Sequence, residues 1–217
     1  MILLNDLSTQ LNLPDSEEYR VLSDVPWPQY QTLLNELGNT SYRVSYLNGV
    51  LEVVAPSRRH ESSKTRIGDL LLIYFLETNT EYFPMGSTTL RQAPQAGGEP
   101  DESYCIGSDK DVPDLAIEVI ITNGSINRLA LYQRLGVQEV WFWQNEEFTL
   151  YHQHPSGTEQ YPDTFGYEPV TSSRLLPDID ITLLTTCVRD PSPLAAAKAF
   201  RQQLQTDASG SQDSGRS

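Results

Sequence analysis

The sequence predicts an α/β fold in which helices flank a mixed β-sheet. Strand-like and helix-like segments alternate along the chain instead of forming separate blocks. Residues 115–121 form an apolar run interrupted only by Glu118, which is typical of a strand buried inside a domain. The 217 residues, 38% of them hydrophobic, are enough for one domain with a substantial core.

The N-terminal half predicts a helix, a hairpin and a second helix. Residues 27–37 are expected to form a short helix that stops at Gly38. Asn48-Gly49 is a strong two-residue turn signal between two alternating segments, so it predicts a β-hairpin. Residues 59–77 then carry apolar side chains at helical spacing and predict a long helix.

The C-terminal half predicts strands around one central helix. The buried strand spans residues 113–121, and a helix over 126–135 follows it and ends at Gly136. Residues 137–143 and 147–152 predict a second hairpin. A strand is also expected over residues 100–106, a loop over 92–98, weak strands near 159–161 and 168–170, and a helix over 193–205.

These elements suggest a division of the chain into three parts. Residues 1–40 are expected to form an N-terminal extension with a short helix, and residues 41–188 the main domain. Residues 189–217 are expected to form a C-terminal helix followed by a disordered tail, because Ser, Gly, Asp and Gln dominate from Thr206 onwards.

The charge distribution favours cation binding over direct phosphate binding. The net charge is −14, whereas nucleic-acid-binding proteins usually present a basic surface. Residues 57–66 are locally basic, but residues 99–118 carry seven carboxylates against Lys110 alone. Such a cluster could still reach phosphates through a bound metal ion. No apolar run is long enough to span a bilayer. The two cysteines, Cys105 and Cys187, are too few to suggest a disulfide framework, so a reducing cytoplasm is expected.

Glu118 and Asp101 are the main candidates for a functional site. A carboxylate in a buried strand is costly unless it is paired, hydrogen-bonded or bound to a metal. Strand alternation places Glu118 on the same face as the small Ala116, which leaves room for an ion or a substrate. Asp101 belongs to the preceding strand, and two neighbouring strands can bring two carboxylates to one magnesium ion. The alternatives are that Glu118 pairs with an arginine for structural reasons and that Asp101 is an exposed strand-end acid.

Several motifs resemble a known family in their order and spacing. They are Pro100-Asp101, residues 113–119 (PDLAIEV), residues 128–141 (RLALYQRLGVQEVW), residues 47–52 (LNGVLE) and the turn at residues 55–57 that leads to His60. Together they resemble the putative restriction endonuclease family abundant in cyanobacteria, within the PD-(D/E)xK nuclease superfamily. The resemblance covers residues 42–151, about half of the chain. It implies a restriction-endonuclease-like fold and cleavage of DNA that depends on Mg²⁺ or Mn²⁺, often by a homodimer.

The resemblance also implies roles for individual residues. Asp101 and Glu118 match the metal-binding acids. Independently of the resemblance, a backbone carbonyl near Val119 is expected to be able to add a metal ligand. Glu52 matches an active-site glutamate of the hairpin, and His60 matches a histidine at the start of the helix that follows. The alternatives are that Glu52 is an ordinary exposed strand residue and that His60 lies in solvent.

The chain departs from the superfamily pattern at the third catalytic position. A lysine usually follows the glutamate by two residues, but that position is Ile120 here. In the family that the chain resembles, the following helix supplies this lysine, and the matching residue is Arg128. Arginine stays protonated, so Arg128 can stabilise charge but cannot act as a general base. Two functions therefore remain open: a metal-dependent endonuclease, and a catalytically impaired nuclease-fold protein that serves as a binding or regulatory module.

Overall fold

A computed structural model describes residues 17–38, 40, 42–121 and 124–213. Eleven strands are found among these residues: β1 Glu18–Leu22, β2 Arg43–Leu47, β3 Val50–Ala55, β4 Tyr82–Pro84, β5 Leu90–Gln92, β6 Ala96–Gly98, β7 Glu102–Ile106, β8 Leu115–Ile120, β9 Glu139–Gln144, β10 Glu147–Gln153 and β11 Tyr167–Val170. The same residues contain five α-helices: α1 Trp27–Leu37, α2 Arg58–Glu77, α3 Arg128–Leu135, α4 Ile181–Arg189 and α5 Pro193–Asp213.

The strands form two sheets instead of the single mixed sheet that the sequence predicts. The first sheet has the order β1-β3-β2-β6-β5 and is antiparallel throughout. The second has the order β11-β10-β9-β8-β7-β4 and is mixed, because β8 and β9 run parallel and are connected through α3. The predicted α/β fold class with a mixed sheet and flanking helices is therefore confirmed.

Both sheets pack apolar side chains against helices. Alternate residues of β2 and β3, including Tyr46 and Leu51, pack with Tyr30 of α1 in one core cluster. On the second sheet, Ile117 and Trp141 belong to a core shared with α2, α4 and α5. The opposite face of that sheet packs against α3 through a separate cluster. The remaining face of the first sheet, which carries polar residues of β2 and β3, is turned towards the second sheet.

Turn and cap residues account for most of the predicted boundaries. Asn48 and Gly49 form the hairpin turn with positive φ angles of 48° and 89°. The side chain of Ser57 accepts a hydrogen bond from the His60 amide at 3.2 Å and caps α2. Gly136 ends α3 in the left-handed conformation, with a φ of 85°.

Four sequence-based expectations about individual elements differ from the structure. Residues 96–98, expected in a loop, form strand β6, and residues 157–159 form a short 3₁₀ turn close to where a strand was expected. Helix α5 continues to Asp213, so the disorder expected from Thr206 is wrong for residues 206–213. Strand β1 was not expected, and its pairing with β3 joins the N-terminal extension to the first sheet. Residues 1–16 and 214–217 lie outside the described residues, and the three-part division stays a prediction.

Among the described residues, no helix is both long and apolar enough to cross a membrane.

Candidate active site

A cavity of about 400 Å³ lies between the two sheets, next to the start of α3. Every residue that the sequence singles out for function lines this cavity: Glu52, His60, Asp101, Glu118, Val119 and Arg128. These residues come from five separate segments of the chain, so the fold brings together what the sequence keeps far apart.

Asp101 lies directly opposite Glu118 at one end of the second sheet. Glu102 pairs with Ile117 in the antiparallel ladder of β7 and β8, and the Asp101 amide donates to the Ile117 carbonyl at 3.1 Å. The Asp101 side chain is only 1% exposed, so the alternative of an exposed strand-end acid is wrong. Its Oδ2 accepts a hydrogen bond from the Val119 amide at 2.6 Å, which fixes the carboxylate against β8.

Two nitrogen-bearing side chains, Arg43 and His60, approach Asp101 from the other wall of the cavity. The guanidinium of Arg43, on β2, forms an ion pair with Oδ1. The Nε2 of His60, in the first turn of α2, lies 3.1 Å from Oδ2. The buried charge of Asp101 is therefore compensated within the protein.

His60 is buried, with its ring between Asp101 and Glu61. Its Nδ1 lies 3.3 Å from the Glu61 Oε1, and its exposed fraction is 4%, so the alternative of a solvent-facing histidine is wrong. Burial and the neighbouring Arg43 guanidinium lower the pKa of His60 to about 4, although Glu61 acts in the opposite direction. The imidazole is therefore neutral at pH 7.

Glu118 is held by two side chains of α3. The hydroxyl of Tyr132 donates a hydrogen bond to its Oε1, and the Nε of Arg128 lies 3.8 Å from the same oxygen. Tyr132 is completely buried, and burial together with the charge of Glu118 raises its pKa well above the usual value. Tyr132 therefore stays protonated and acts as a hydrogen-bond donor. The pairing of Glu118 with an arginine, one of the two readings left open by the sequence, is present in the structure.

Glu52 braces the loop that enters α3. Its Oε2 accepts hydrogen bonds from the Ser125 amide at 2.6 Å and the Ile126 amide at 3.3 Å. Its Oε1 accepts from the Nη2 of Arg128 at 2.7 Å. Glu52 is fully buried, so the reading of an ordinary exposed strand residue is wrong. Since both oxygens are engaged, its main effect is to position the loop and Arg128.

Arg128 connects the two walls of the cavity. Its Nη1 donates to the Ser45 hydroxyl, while its other nitrogens face Glu52 and Glu118. Burial alone would lower the pKa of Arg128, but the charges of Glu118 and Glu52 outweigh burial and raise it. Arg128 is therefore a permanent cation, as the sequence indicates, and cannot accept a proton.

The structure also adds residues that the sequence did not single out. Arg43, Tyr132 and Glu17 have side chains in or against the cavity, and Glu17 comes within 3.9 Å of the His60 Nε2. Gly124 is a close-approach glycine, because a Cβ there would lie 2.7 Å from Glu52 Oε1 and nearer still to Oε2. Only Tyr132 carried a signal in the sequence, since it lies one helical turn after Arg128.

A buried carboxylate outside the cavity, Glu139 at the start of β9, is held entirely by contacts within the fold. It accepts hydrogen bonds from the Trp141 indole at 2.7 Å, the Ser173 hydroxyl at 2.6 Å and the Arg174 amide at 3.0 Å. The Nδ1 of His152 lies 2.9 Å from its Oε2. All the acceptor capacity of Glu139 is used within the fold.

The charges around the cavity favour a cation. Five carboxylates line it against two arginines, with His60 neutral. The donor set of Asp101 and Glu118 fits magnesium, which commonly takes one or two carboxylates and completes its octahedron with water and phosphate. Among the described residues, no cluster of three or more His, Cys, Asp or Glu side chains could enclose a metal on its own. A metal ion here would therefore depend on water or substrate oxygens for its remaining ligands.

The fold and the cavity define an α/β protein of the restriction-endonuclease-like type. The family model described as "Putative restriction endonuclease", Uma2, matches residues 27–184. This is well over half of the 217 residues, so the chain belongs to that family. No curated protein matches the chain.

Proposed function

We propose that this protein is an endonuclease that hydrolyses phosphodiester bonds in DNA with the help of Mg²⁺ or Mn²⁺. The observation that carries the proposal is the placement of Asp101 directly opposite Glu118 on paired strands, at the floor of an acidic cavity. Membership of a family named for restriction endonucleases agrees with this chemistry.

Asp101 and Glu118 are the residues that would hold the metal ion, with the backbone at Val119 as a further ligand. When bound, such an ion supplies positive charge to the scissile phosphate and lowers the pKa of a coordinated water. The protein contributes an arrangement that is fixed before substrate arrives: Val119 orients the Asp101 carboxylate and Tyr132 orients that of Glu118.

The basic side chains of the cavity have separate tasks under this proposal. Arg128 stabilises the negative charge that develops on the phosphate, since it stays protonated and is held rigidly by Glu52 and Ser45. His60 is neutral at pH 7 and can accept or pass on a proton beside Asp101. Neither Ile120 nor Arg128 can replace the missing lysine as a base.

A second candidate function is a nuclease-fold binding or regulatory module without catalysis. The specific observation in its favour is that both acidic residues already have an arginine partner, Arg43 for Asp101 and Arg128 for Glu118. A metal ion would have to compete with these guanidinium groups. The absence of a lysine at position 120 points in the same direction.

The deciding experiment is DNA cleavage by the purified protein. Supercoiled plasmid and single-stranded DNA are incubated with Mg²⁺, with Mn²⁺ or with a chelator, using wild type, Glu118→Ala and the control Glu168→Ala. Glu168 lies on β11, outside the cavity, and forms an ion pair with Arg174. We expect metal-dependent cleavage that Glu118→Ala abolishes and Glu168→Ala retains. Cleavage that survives Glu118→Ala contradicts the proposed site, and a wild type without cleavage supports the second candidate.

The family resemblance further suggests that the working form is a homodimer, and we expect the protein to act in the cytoplasm. Sedimentation of the purified protein tests the first point, because a dimer doubles the mass of the 24.4 kDa chain.

A further inference from the structure

The cavity has aromatic walls in addition to its acidic floor. Tyr19 of β1 lines it from the first sheet and is 44% exposed. Tyr151 of β10 lines it from the second sheet and is half-buried. Its ring packs edge-on against Phe142, with the ring centroids 5.7 Å apart. Aromatic rings in such positions can stack on nucleic-acid bases.

Several basic side chains of residues 57–66, the segment that could contact a DNA backbone, make contacts within the protein itself. Arg59 pairs with Glu146 at 3.5 Å, and the ammonium of Lys64 donates to the Ser87 hydroxyl at 3.1 Å. Arg66 donates to the Val188 carbonyl at 2.7 Å, at the end of α4. Phosphate contacts supply most of the affinity of duplex-binding proteins, and these internal contacts leave fewer of the basic side chains available for them.

The size of the cavity also limits what can enter. At about 400 Å³ it lies near the lower end of the range of about 300–1,000 Å³ that is usual for small-ligand pockets. That space suits one nucleotide unit. In a duplex the base faces are covered by their neighbours, whereas an unpaired strand can turn a base out to stack on a side chain.

We infer that the substrate of this cavity is a single-stranded segment of DNA, with one base stacked against Tyr19 and Tyr151 while the phosphate faces Asp101 and Glu118. The inference rests on the proposed function, because it names the substrate class of that site. Stacking on an aromatic ring adds binding energy that does not itself come from a basic surface, and it is open to an unpaired base but not to a base inside a duplex.

Fluorescence of 2-aminopurine tests the inference independently of cleavage, because this base analogue is quenched when it stacks. A single-stranded oligonucleotide with one 2-aminopurine is titrated with protein in Ca²⁺, an oxygen-seeking ion used here in place of Mg²⁺. The same oligonucleotide annealed to its complement provides the duplex comparison. The proteins are wild type, Tyr19→Leu, Tyr151→Leu and Tyr151→Phe. Tyr161→Leu is the control, because Tyr161 packs against His154 and does not line the cavity.

We expect the single strand to be quenched and to bind at least tenfold more tightly than the duplex. Each leucine variant should weaken binding by roughly 5- to 150-fold, the usual range for loss of one stacking aromatic. Tyr151→Phe and Tyr161→Leu should bind like wild type. Equal binding of duplex and single strand, or leucine variants that bind like wild type, would overturn the inference. Loss of cleavage with quenching intact would count against the proposed catalysis and leave the substrate class standing.

Discussion

The hydroxyl of Tyr132 donates a hydrogen bond to one oxygen of Glu118, and both side chains are buried. The two residues lie in consecutive elements, Glu118 in β8 and Tyr132 in α3, and Arg128 approaches the same oxygen. The contact therefore fixes the carboxylate in one orientation.

Tyr132→Phe should weaken metal binding because it frees the Glu118 carboxylate to rotate. Loss of such a supporting hydrogen bond typically costs about 10- to 100-fold in metal affinity or activity. Mn²⁺ affinity is measured by titration. Tyr167→Phe is the matched control, since it also removes a buried hydroxyl, one that donates to the Val137 carbonyl at 2.6 Å. Equal Mn²⁺ affinity in the two variants would show that Tyr132 has only a structural role.

The Glu52–Arg128 pair should contribute to stability as a unit. Removing one partner leaves a buried charge uncompensated, so Glu52→Gln and Arg128→Met should each lower the free energy of unfolding by about 3–5 kcal/mol. The double variant should cost less than the sum of the two, by about 0.5–3 kcal/mol. Chemical denaturation of all four proteins measures the coupling. Strict additivity would mean that the two side chains do not depend on one another.

Gly124→Ala should disturb the loop that Glu52 braces. The added methyl group would overlap the Glu52 carboxylate and push it away from the Ser125 amide. We expect a loss of about 1–3 kcal/mol in the free energy of unfolding, as for other cases of overpacking. Gly38→Ala is the control, because a Cβ there finds no atom nearer than 3.5 Å. A Gly124→Ala protein as stable as Gly38→Ala would contradict the close approach.

His60 should make the protein less stable in acid. Its folded-state pKa of about 4 lies below the unfolded value of about 6.5, so the unfolded state binds the proton first as the pH falls. The resulting loss of stability begins near pH 6.5 and is complete near pH 4. His60→Gln removes the titrating group and with it this loss. The difference in free energy of unfolding between wild type and variant should therefore shrink by about 2 kcal/mol from pH 7.5 to pH 4.5. His154→Gln is the control. A stability difference from wild type that stays constant over this pH range for His60→Gln, as for His154→Gln, would contradict the lowered pKa of His60.

The sequence predicted the local elements well because the residues that set them act locally. Asn48-Gly49, Ser57 and Gly136 fix turns and helix ends through their own backbone preferences and hydrogen bonds. The split into two sheets depends on long-range pairing instead. Strand β1 carries no turn signal, and its residues pair with residues of β3 that lie 29 to 37 positions away. Strand β6 contains Gly97 and Gly98, which favour loops in a local reading.

The candidate site shows the same difference between features that are set locally and features that depend on long-range contacts. Strand alternation was sufficient to place Glu118 on the open face beside Ala116, and family motifs supplied Asp101 and Arg128. The partners of these residues could not be predicted from spacing. Arg43 lies 58 positions from Asp101 and meets it only because the two sheets face each other. Glu52 was assigned to catalysis, and its engagement with the loop amides becomes visible only in three dimensions.

We propose that Asp101 and Glu118 together hold a divalent metal ion, and a titration with Mn²⁺ measures this binding without requiring cleavage. Electron paramagnetic resonance counts free Mn²⁺ during titration of wild type, Asp101→Asn, Glu118→Gln and the control Glu168→Gln. Both site variants keep the shape and hydrogen-bonding oxygen of the native side chain and remove its charge. We predict that wild type and Glu168→Gln each bind one Mn²⁺, and that both site variants bind at least tenfold more weakly. A wild type that binds no Mn²⁺, or site variants that bind it equally well, would contradict the claim.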